Sequence, residues 1–503
     1  DIKMVLKPNL EDLKAIGYYL GKIIIGLGMT ILIPLASAFI FRELNPFYDF
    51  LISFLICLIF GNALILLCKT DKDLNWVGGM VVVSLAWLAA AVLGAIPFYL
   101  SGHWVSFLDC IFDSMSGFAT TGLVLVQDLD HIARSVNLWR HLIMFIGGQG
   151  VVVVALSFLV RGSAGAFRMY VGEARDEKVL PNVVETARFI WLVSIVYLIL
   201  GTIVLAIVGR CEGMSWVNSF FHGACVFMAA FDTGGFAPQS QNILYYHSLA
   251  YEIVTIIIMI LGSLNFKLHY TLWMRGKKEI VTNIETRTFF MTIMLTFFLT
   301  AVGLAKLGVY PDALGLFRKG FYQLISGHTG TGYQTIYARQ FIHEWGALAL
   351  ISITIAMALG GCVCSTTGGI KMLRIGVVFK ALYNDIKRVM LPEAGVFIEK
   401  YHHIKDVIME ERQVRSAVLI FLCYLGLYAL GGIVGMFFGY PALASLFEST
   451  SAAANVGLTC GITQAAMPAL LKVVYILQMW IGRLEFMSVF VLIGFFAAFI
   501  RGK

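Results

Sequence analysis

Charge is scarce in this chain. Only 13% of its 503 residues are Asp, Glu, Lys or Arg, against 59% hydrophobic, and no soluble domain of that length could clothe its surface with so little. The shortage excludes a soluble enzyme or binding module and points to a polytopic membrane protein. Cysteine offers no alternative framework, because the nine cysteines lack CxxC pairs or regular spacing and read as small apolar packing residues. Cys110, Cys211 and Cys460 fall toward the outer face, where a disulfide is conceivable but no pattern supports one. Tyr401-His402-His403 has no third ligand beside it, so no metal site is read there. His328, beside the third of the loops described below, reads as a local hydrogen-bonding residue, with tuning by protonation the sharper alternative. No cleavable signal pattern is visible, and the first apolar run, about 16–41, reads as a retained helix.

What the chain does have is apolar length in two sizes. About 20 residues cross a bilayer as helix, whereas 10 to 14 fit a re-entrant segment. Two full spans come first, about 16–41 and 46–67. The order long, short, glycine loop, long then occurs four times: 77–100, 105–118 and 138–160; 189–208, 216–231 and 249–273; 289–307, 314–327 and 345 onward; 417–438, 442–454 and 470–500. The expected fold is therefore an all-α polytopic membrane protein of ten crossings and four re-entrant hairpins. The expected divisions are 1–73 for the N-terminal pair, 74–162, 163–278, 279–388 and 389–503 for the repeats, with cytoplasmic linkers opening the second and fourth.

Most of the 37 basic residues fall in connections on one side. Arg161, Arg168, Arg175, Lys178 and Arg188 join the first two units, and Arg374, Lys380, Lys387, Arg388, Lys400, Lys405, Arg412 and Arg415 join the last two. The positive-inside rule makes that side cytoplasmic, along with both termini. It also accounts for the net charge of +7 without a nucleic-acid partner. Lys306, Lys319 and Lys472 lie near span ends, where long stems can snorkel. Units that each begin and end in the cytoplasm share one orientation, so they can close a ring about an axis along the membrane normal.

The glycine loops are Thr120, Thr121, Gly122, Leu123; Thr233, Gly234, Gly235, Phe236; Gly330, Thr331, Gly332, Tyr333; and Asn455, Val456, Gly457, Leu458. Carbonyls in such a ring can replace the hydration shell of a potassium ion, provided the backbone takes conformations that side chains resist. Asp113, Asp232 and Glu448 lie close by and are candidates for an attractive outer mouth, with local pairing as the plainer alternative for Glu448. Asp109 could likewise cap its helix.

In the third unit the last span is interrupted by Gly360, Gly361, Ser365, Thr366, Thr367, Gly368, Gly369 and Lys371, enough glycine to break a helix whose freed backbone must then face water or protein. A phosphate-binding loop is excluded by spacing, since Ile370 stands where that motif needs Lys. A flexible loop beneath a filter is a natural gate. Arg483, near the middle of the last span, costs about 2.5–3.5 kcal/mol on insertion scales, so it should face the interior, either in a structural pair or as a charge barrier. Glu485 points to another face.

Four such loops in register, each between a short and a long apolar run, make the chain resemble the Trk/Ktr/HKT superfamily of potassium transporters, and within it the bacterial TrkH-type potassium uptake subunit. The two extra N-terminal spans are typical of TrkH-like members. The resemblance implies a pseudo-fourfold pore in the inner membrane, with glycine at all four central positions going with potassium selectivity. It implies that the stretch 360–371 is an intramembrane gating loop and that Arg483 is a barrier beneath the filter. The segment from Glu173 to Thr186 resembles the family's first linker. It further implies a homodimer on a cytoplasmic TrkA-like nucleotide-binding regulatory ring, with potassium as the transported ion and no organic cofactor in this chain. The connections here are too short for a nucleotide-binding domain. Alternatives are the potassium-binding subunit of an ATP-driven pump, a sodium-permeable member, and, least favoured, an intramembrane enzyme, for which no acid, base or nucleophile converges among the spans. Channel and ion-coupled symport are not separated by these residues.

Overall fold

The computed structural model describes residues 8–126, 128–151, 169, 173, 183–274, 278–390 and 400–501. Helix starts follow from capping chemistry. Asn9 and Asp12 form a capping box at the head of α1 (Leu10–Ile40), which packs along α2 (Leu44–Leu67). Unit one is α3 (Trp76–Ser101), the short α4 (Phe107–Phe118) and α5 (Arg134–Gln149). Unit two is α6 (Val183–Cys211), the short α7 (Trp216–Phe231), α8 (Leu249–Ser263) and α9 (Phe266–Met274). Unit three is α10 (Ile284–Leu307), a π-helical turn Leu316–Phe321 leading into α11 (Tyr322–His328), then α12 (Gly346–Ala358) and α13 (Met372–Val389). Unit four is α14 (Glu411–Phe437), the short α15 (Ala442–Ala453), α16 (Ala469–Arg483) and α17 (Met487–Ile500).

Ser106, Ser215 and Asp312 each accept a backbone N–H three residues on and so start the short segments of units one to three, as N-cap residues do. Pro441 holds the corresponding place in unit four. Each short helix packs on the long helix before it. The second helix of each unit then packs on the next unit's short helix: α5 on α7, α8 on α11, α12 on α15 and α16 on α4. The last pair returns to the first unit, so the ring closes.

The second helices depart from the expected continuous spans. Only unit three was expected to break. Instead α8 and α9 meet at 102° and α16 and α17 at 109°, while α5 stops at Gln149 with Gly150 beyond it at φ +99°. The cause is close approach of backbones. A Cβ on Gly147, Gly262 or Gly482 would strike the carbonyl of Phe118, Phe231 or Ala453, at the C-terminal end of a short helix. Among the described residues six helices are long and apolar enough to cross a membrane, up to eight if each bent pair is one span. The remaining two of the ten expected crossings rest on α5, whose expected continuation to 160 lies outside the described residues, and on α12 with α13, which the glycine-rich stretch separates. Most of the first linker, with Arg161, Arg168, Arg175 and Lys178, also lies outside them. A small antiparallel hairpin, β1 (Lys400–His403) and β2 (Lys405–Ile408), interrupts the helical pattern before α14, and no sequence signal had been read for it.

Candidate ion pathway

The four glycine loops are built alike. An N–H at Thr121, Gly234, Thr331 and Val456 returns to the carbonyl five residues earlier, at Ser116, Ala229, Ser326 and Ser451, over 2.8–2.9 Å. This closes the C-terminal end of each short helix. The residue after that carbonyl run turns left-handed: φ is +52° at Thr120, +51° at Thr233, +73° at Gly330 and +56° at Asn455. The central glycines Gly122, Gly235, Gly332 and Gly457 are left-handed too, at +89°, +73°, +82° and +91°, a region that glycine enters at the least cost.

These glycines also meet one another's neighbours in a circle. A Cβ on Gly122 would strike the Gly234 carbonyl, one on Gly235 that of Thr331, one on Gly332 that of Val456, and one on Gly457 that of Thr121. Each of those carbonyls belongs to the residue before the next unit's central glycine. The loops therefore converge on one axis with backbone oxygens packed between them, and the inward C-terminal ends of the short helices add partial negative charge. Leu123, Phe236, Tyr333 and Leu458 turn into the surrounding core. Asn455 ties unit four to unit one, donating to Thr121 Oγ1 at 3.0 Å and to the Met479 carbonyl at 2.9 Å.

The acidic residues expected at an outer mouth have other partners. Asp113 accepts from Trp104 Nε1 and Leu125 N at 2.7 Å each and from Val126 N at 3.4 Å. Glu448 accepts from Cys460 N at 2.8 Å, Ile462 N at 3.2 Å and Thr463 Oγ1 at 2.7 Å. Both are fully buried and brace the chain leaving their own loops. Gln323 does the same in unit three through Thr335, and in unit two the work passes to Arg140, His141 and Tyr333, which bond the carbonyls of Ala237 and Phe236. Asp232 is at the opposite end of its loop, capping α7 and accepting from Gln149 Nε2 at 2.7 Å. Its place is thus on the inner side. Asp109 does not cap; it binds Lys472 Nζ at 2.6 Å, and Lys472 is buried rather than snorkelling. His328 shares a 2.8 Å hydrogen bond with Thr292, the local role. Cys110, Cys211 and Cys460 are free, and His402 and His403 face carboxylates. Among the described residues no cluster of three metal-ligating side chains occurs.

Beneath the ring lies the glycine-rich stretch. Leu359 and Ile370 bridge its two ends, with Gly360 N to the Ile370 carbonyl at 2.9 Å. Gly361 N donates to Thr367 Oγ1, and Ser365 Oγ to the Cys362 carbonyl. The stretch fills the break in unit two's helix, where Cys362 N reaches the Ser263 carbonyl and Phe266 N reaches that of Cys364. Thr366 is its apex. Its hydroxyl bonds the Phe231 and Gly262 carbonyls at 3.0 and 2.9 Å and faces Thr233 Oγ1 at 3.1 Å, and its carbonyl faces Thr120 Oγ1 at 3.5 Å. Gly368 lies so close to unit four that a Cβ would strike Ala454 and Asn455.

Arg483 ends α16 at the bend, not mid-helix as expected. It donates to the Thr366 carbonyl at 2.5 Å, the Gly147 and Gly148 carbonyls at 2.7 and 3.3 Å and Thr120 Oγ1 at 3.3 Å. Glu485 turns away to pair with Arg374 and, at 3.9 Å, with Lys371, while Lys371 Nζ also donates to the Thr367 carbonyl. Sequence reasoning had set Glu485 aside and had not singled out Glu285, which is buried and accepts from Val363 N at 2.7 Å. As an acid in a helix's first turn, Glu285 looked like an ordinary complement to the helix dipole.

A family model described as TrkH, cation transport protein, matches residues 48–496. An uncharacterized cation transporter of Methanocaldococcus jannaschii is 31% identical over 488 residues, 97% of each chain. The Trk system potassium uptake protein TrkG of Escherichia coli K12 is 27% identical over 498 residues, covering 97% of this chain and 99% of that one. All of these are named as transporters and none as an enzyme. The crystal structure of the potassium transporter TrkH from Vibrio parahaemolyticus, 23% identical, superposes with a TM-score of 0.78 over 95% of this chain and 98% of that one, a likeness of fold.

Proposed function

Because this chain belongs to the TrkH family of cation transport proteins, we propose that it is a potassium uptake protein of the cytoplasmic membrane, with the four glycine loops as its selectivity filter. The observation that carries this reading is the closed circle in which each central glycine abuts the carbonyl before the next. What the four loops share is backbone, a central glycine with carbonyl oxygens beside it, since the side chains around the glycine differ, and carbonyl oxygens suit a weakly hydrated monovalent cation. In this reading Thr120 to Leu123 and their three counterparts strip the ion of water. The stretch 360–371 is the gate, with Thr366 as its plug and Arg483 as both its latch and a charge barrier. Both termini are cytoplasmic, and the basic connections dock a nucleotide-binding regulatory ring on a homodimer. The relatives named as potassium uptake proteins of a Trk system support the choice of ion and the expectation of a partner subunit.

The test is rubidium uptake into vesicles, competed with potassium or sodium, for the unaltered chain and for Gly122→Ser. Potassium should compete far better than sodium in the first, and that preference should fall in the second. Absence of a potassium-selective flux would sink the reading, and an unchanged preference in Gly122→Ser would remove the role given to the glycine.

A further inference from the structure

The loop 360–371 is held from two sides. Arg483 grips its apex from unit four. From the cytoplasmic side the grip is Glu285, only 1% exposed, whose Oε1 accepts the Val363 N–H at 2.7 Å. Its other oxygen faces Asn265 Nδ2 at 3.4 Å, in the break of unit two's helix, and His403 Nδ1 at 3.7 Å. His403 is the last residue of β1, 6% exposed, and its Nδ1 also lies 3.3 Å from Asn283 Oδ1. The hairpin is fastened beside it through Glu279, which accepts from Ile404 N at 3.0 Å and faces His402 Nε2 at 3.2 Å. A buried carboxylate thus stands between a hairpin of the connection joining units three and four and the backbone of the loop beneath the ring.

We propose that Glu285 is a positioning residue that sets the register of the loop at Val363 and joins it to the hairpin through His403. Displacement of the hairpin then loosens the loop without touching the glycine ring. This rests on the reading of 360–371 as a gate, but the following test reads the loop's position directly. Val363 lies between Cys362 and Cys364, both buried. Releasing Val363 from a charged acceptor forfeits a hydrogen bond of the stronger class, enough to raise the exposed population about tenfold or more.

Maleimide labelling of the full chain in vesicles, resolved by site with mass spectrometry, gives the readout, and the buried Cys110 and Cys225 in α4 and α7 report any general loosening. Glu285→Ala should speed labelling of Cys362 and Cys364 about tenfold with Cys110 and Cys225 unchanged. Glu285→Gln keeps an acceptor for the Val363 N–H but no charge for His403, so labelling should stay within about threefold of the unaltered chain. His403→Ala, which severs the same link, should speed labelling in the unaltered background by no more than the same threefold and add nothing to Glu285→Gln. Unchanged labelling in Glu285→Ala, or a rise shared by Cys110 and Cys225, would overturn the positioning role. A full His403→Ala effect in the Glu285→Gln background would overturn the link to the hairpin. If the loop cysteines respond while rubidium flux does not, the positioning stands and the gate reading falls.

Discussion

Arg483→Ala should turn a closed pathway into a leaky one. The guanidinium donates to three backbone carbonyls and one hydroxyl, in the loop apex, the end of unit one's second helix and the first glycine loop. Hydrogen bonds involving a charged group contribute about 1.5–3 kcal/mol each, and about 1.4 kcal/mol is a tenfold change in an equilibrium. Losing even the bond to Thr366 without replacement should therefore multiply the open population roughly tenfold, and removing a fixed positive charge from the proposed ion path acts in the same direction. Lysine is the informative control, because its single ammonium cannot span Thr366 and Gly147 as the planar fork does. Arg483→Lys should keep the charge barrier yet loosen the latch, giving a flux between those of alanine and arginine. The assay is rubidium uptake into vesicles holding the purified chain alone, with potassium over sodium preference measured in parallel. Flux in Arg483→Ala no higher than in the unaltered chain, from protein that elutes and melts normally, would refute the latch. A chain that fails to fold would favour a purely structural arginine.

The Asp109 and Lys472 pair should show the asymmetry of buried charge: Asp109→Ala strands an ammonium between units one and four and should cost about 3–5 kcal/mol. Asp109→Leu with Lys472→Met should lie much closer to the unaltered chain in thermal unfolding, and equal losses would show that the pair is not what matters there. Glu448→Gln should weaken the brace on residues 460–463 and lower potassium over sodium preference in rubidium competition; an unchanged preference would mean the brace is not needed for selection. In the hairpin of β1 and β2, Asp406 and then Glu279 hold the His402 imidazolium and raise its pKa above the ordinary value. A raised pKa means that this contribution is complete below the ordinary value, about 6.5, and is lost as pH rises through the raised one. Hydrogen exchange across 400–408 should thus quicken with pH beyond its intrinsic dependence, and His402→Gln should abolish the excess. High salt should shrink it as well, since Asp406 is largely exposed.

The repeat plan was legible because it is written in lengths. Long and short apolar runs with glycine between them need only the thickness of a bilayer to be interpreted, and the short helix of unit two was expected at the residues where it occurs. The bends were not legible, because Gly262 and Gly482 look like any small residue in an apolar span until the carbonyls of Phe231 and Ala453 arrive beside them. The same holds for the acidic residues. Asp113 and Glu448 both stand nine places before a central glycine, a regularity available in the sequence, yet only the fold reveals that each turns toward its own ascending backbone. Glu285 was hidden because its partner, Val363, is 78 residues away and offers only a backbone N–H.

Symmetry separates the two tasks proposed for this molecule. The glycine ring is nearly fourfold: the same return hydrogen bond, the same two left-handed positions and the same contact to the next unit recur in every loop. The coordination shell proposed for it requires like oxygens, and it tolerates Thr121, Gly234, Thr331 and Val456 in one place because each presents a carbonyl at the contact between units. The loop beneath comes from one unit alone and bonds the other three unequally, with hydroxyl contacts to unit two, a guanidinium from unit four and a long contact to Thr120 of unit one. A change made in the ring should therefore alter which ion is accepted. A change made at Thr366, Arg483 or Glu285 should alter how often any ion passes, leaving preference intact. A single substitution among those three that shifted potassium over sodium preference as strongly as Gly122→Ser would show that selection extends into the loop, and the division of labour would fail.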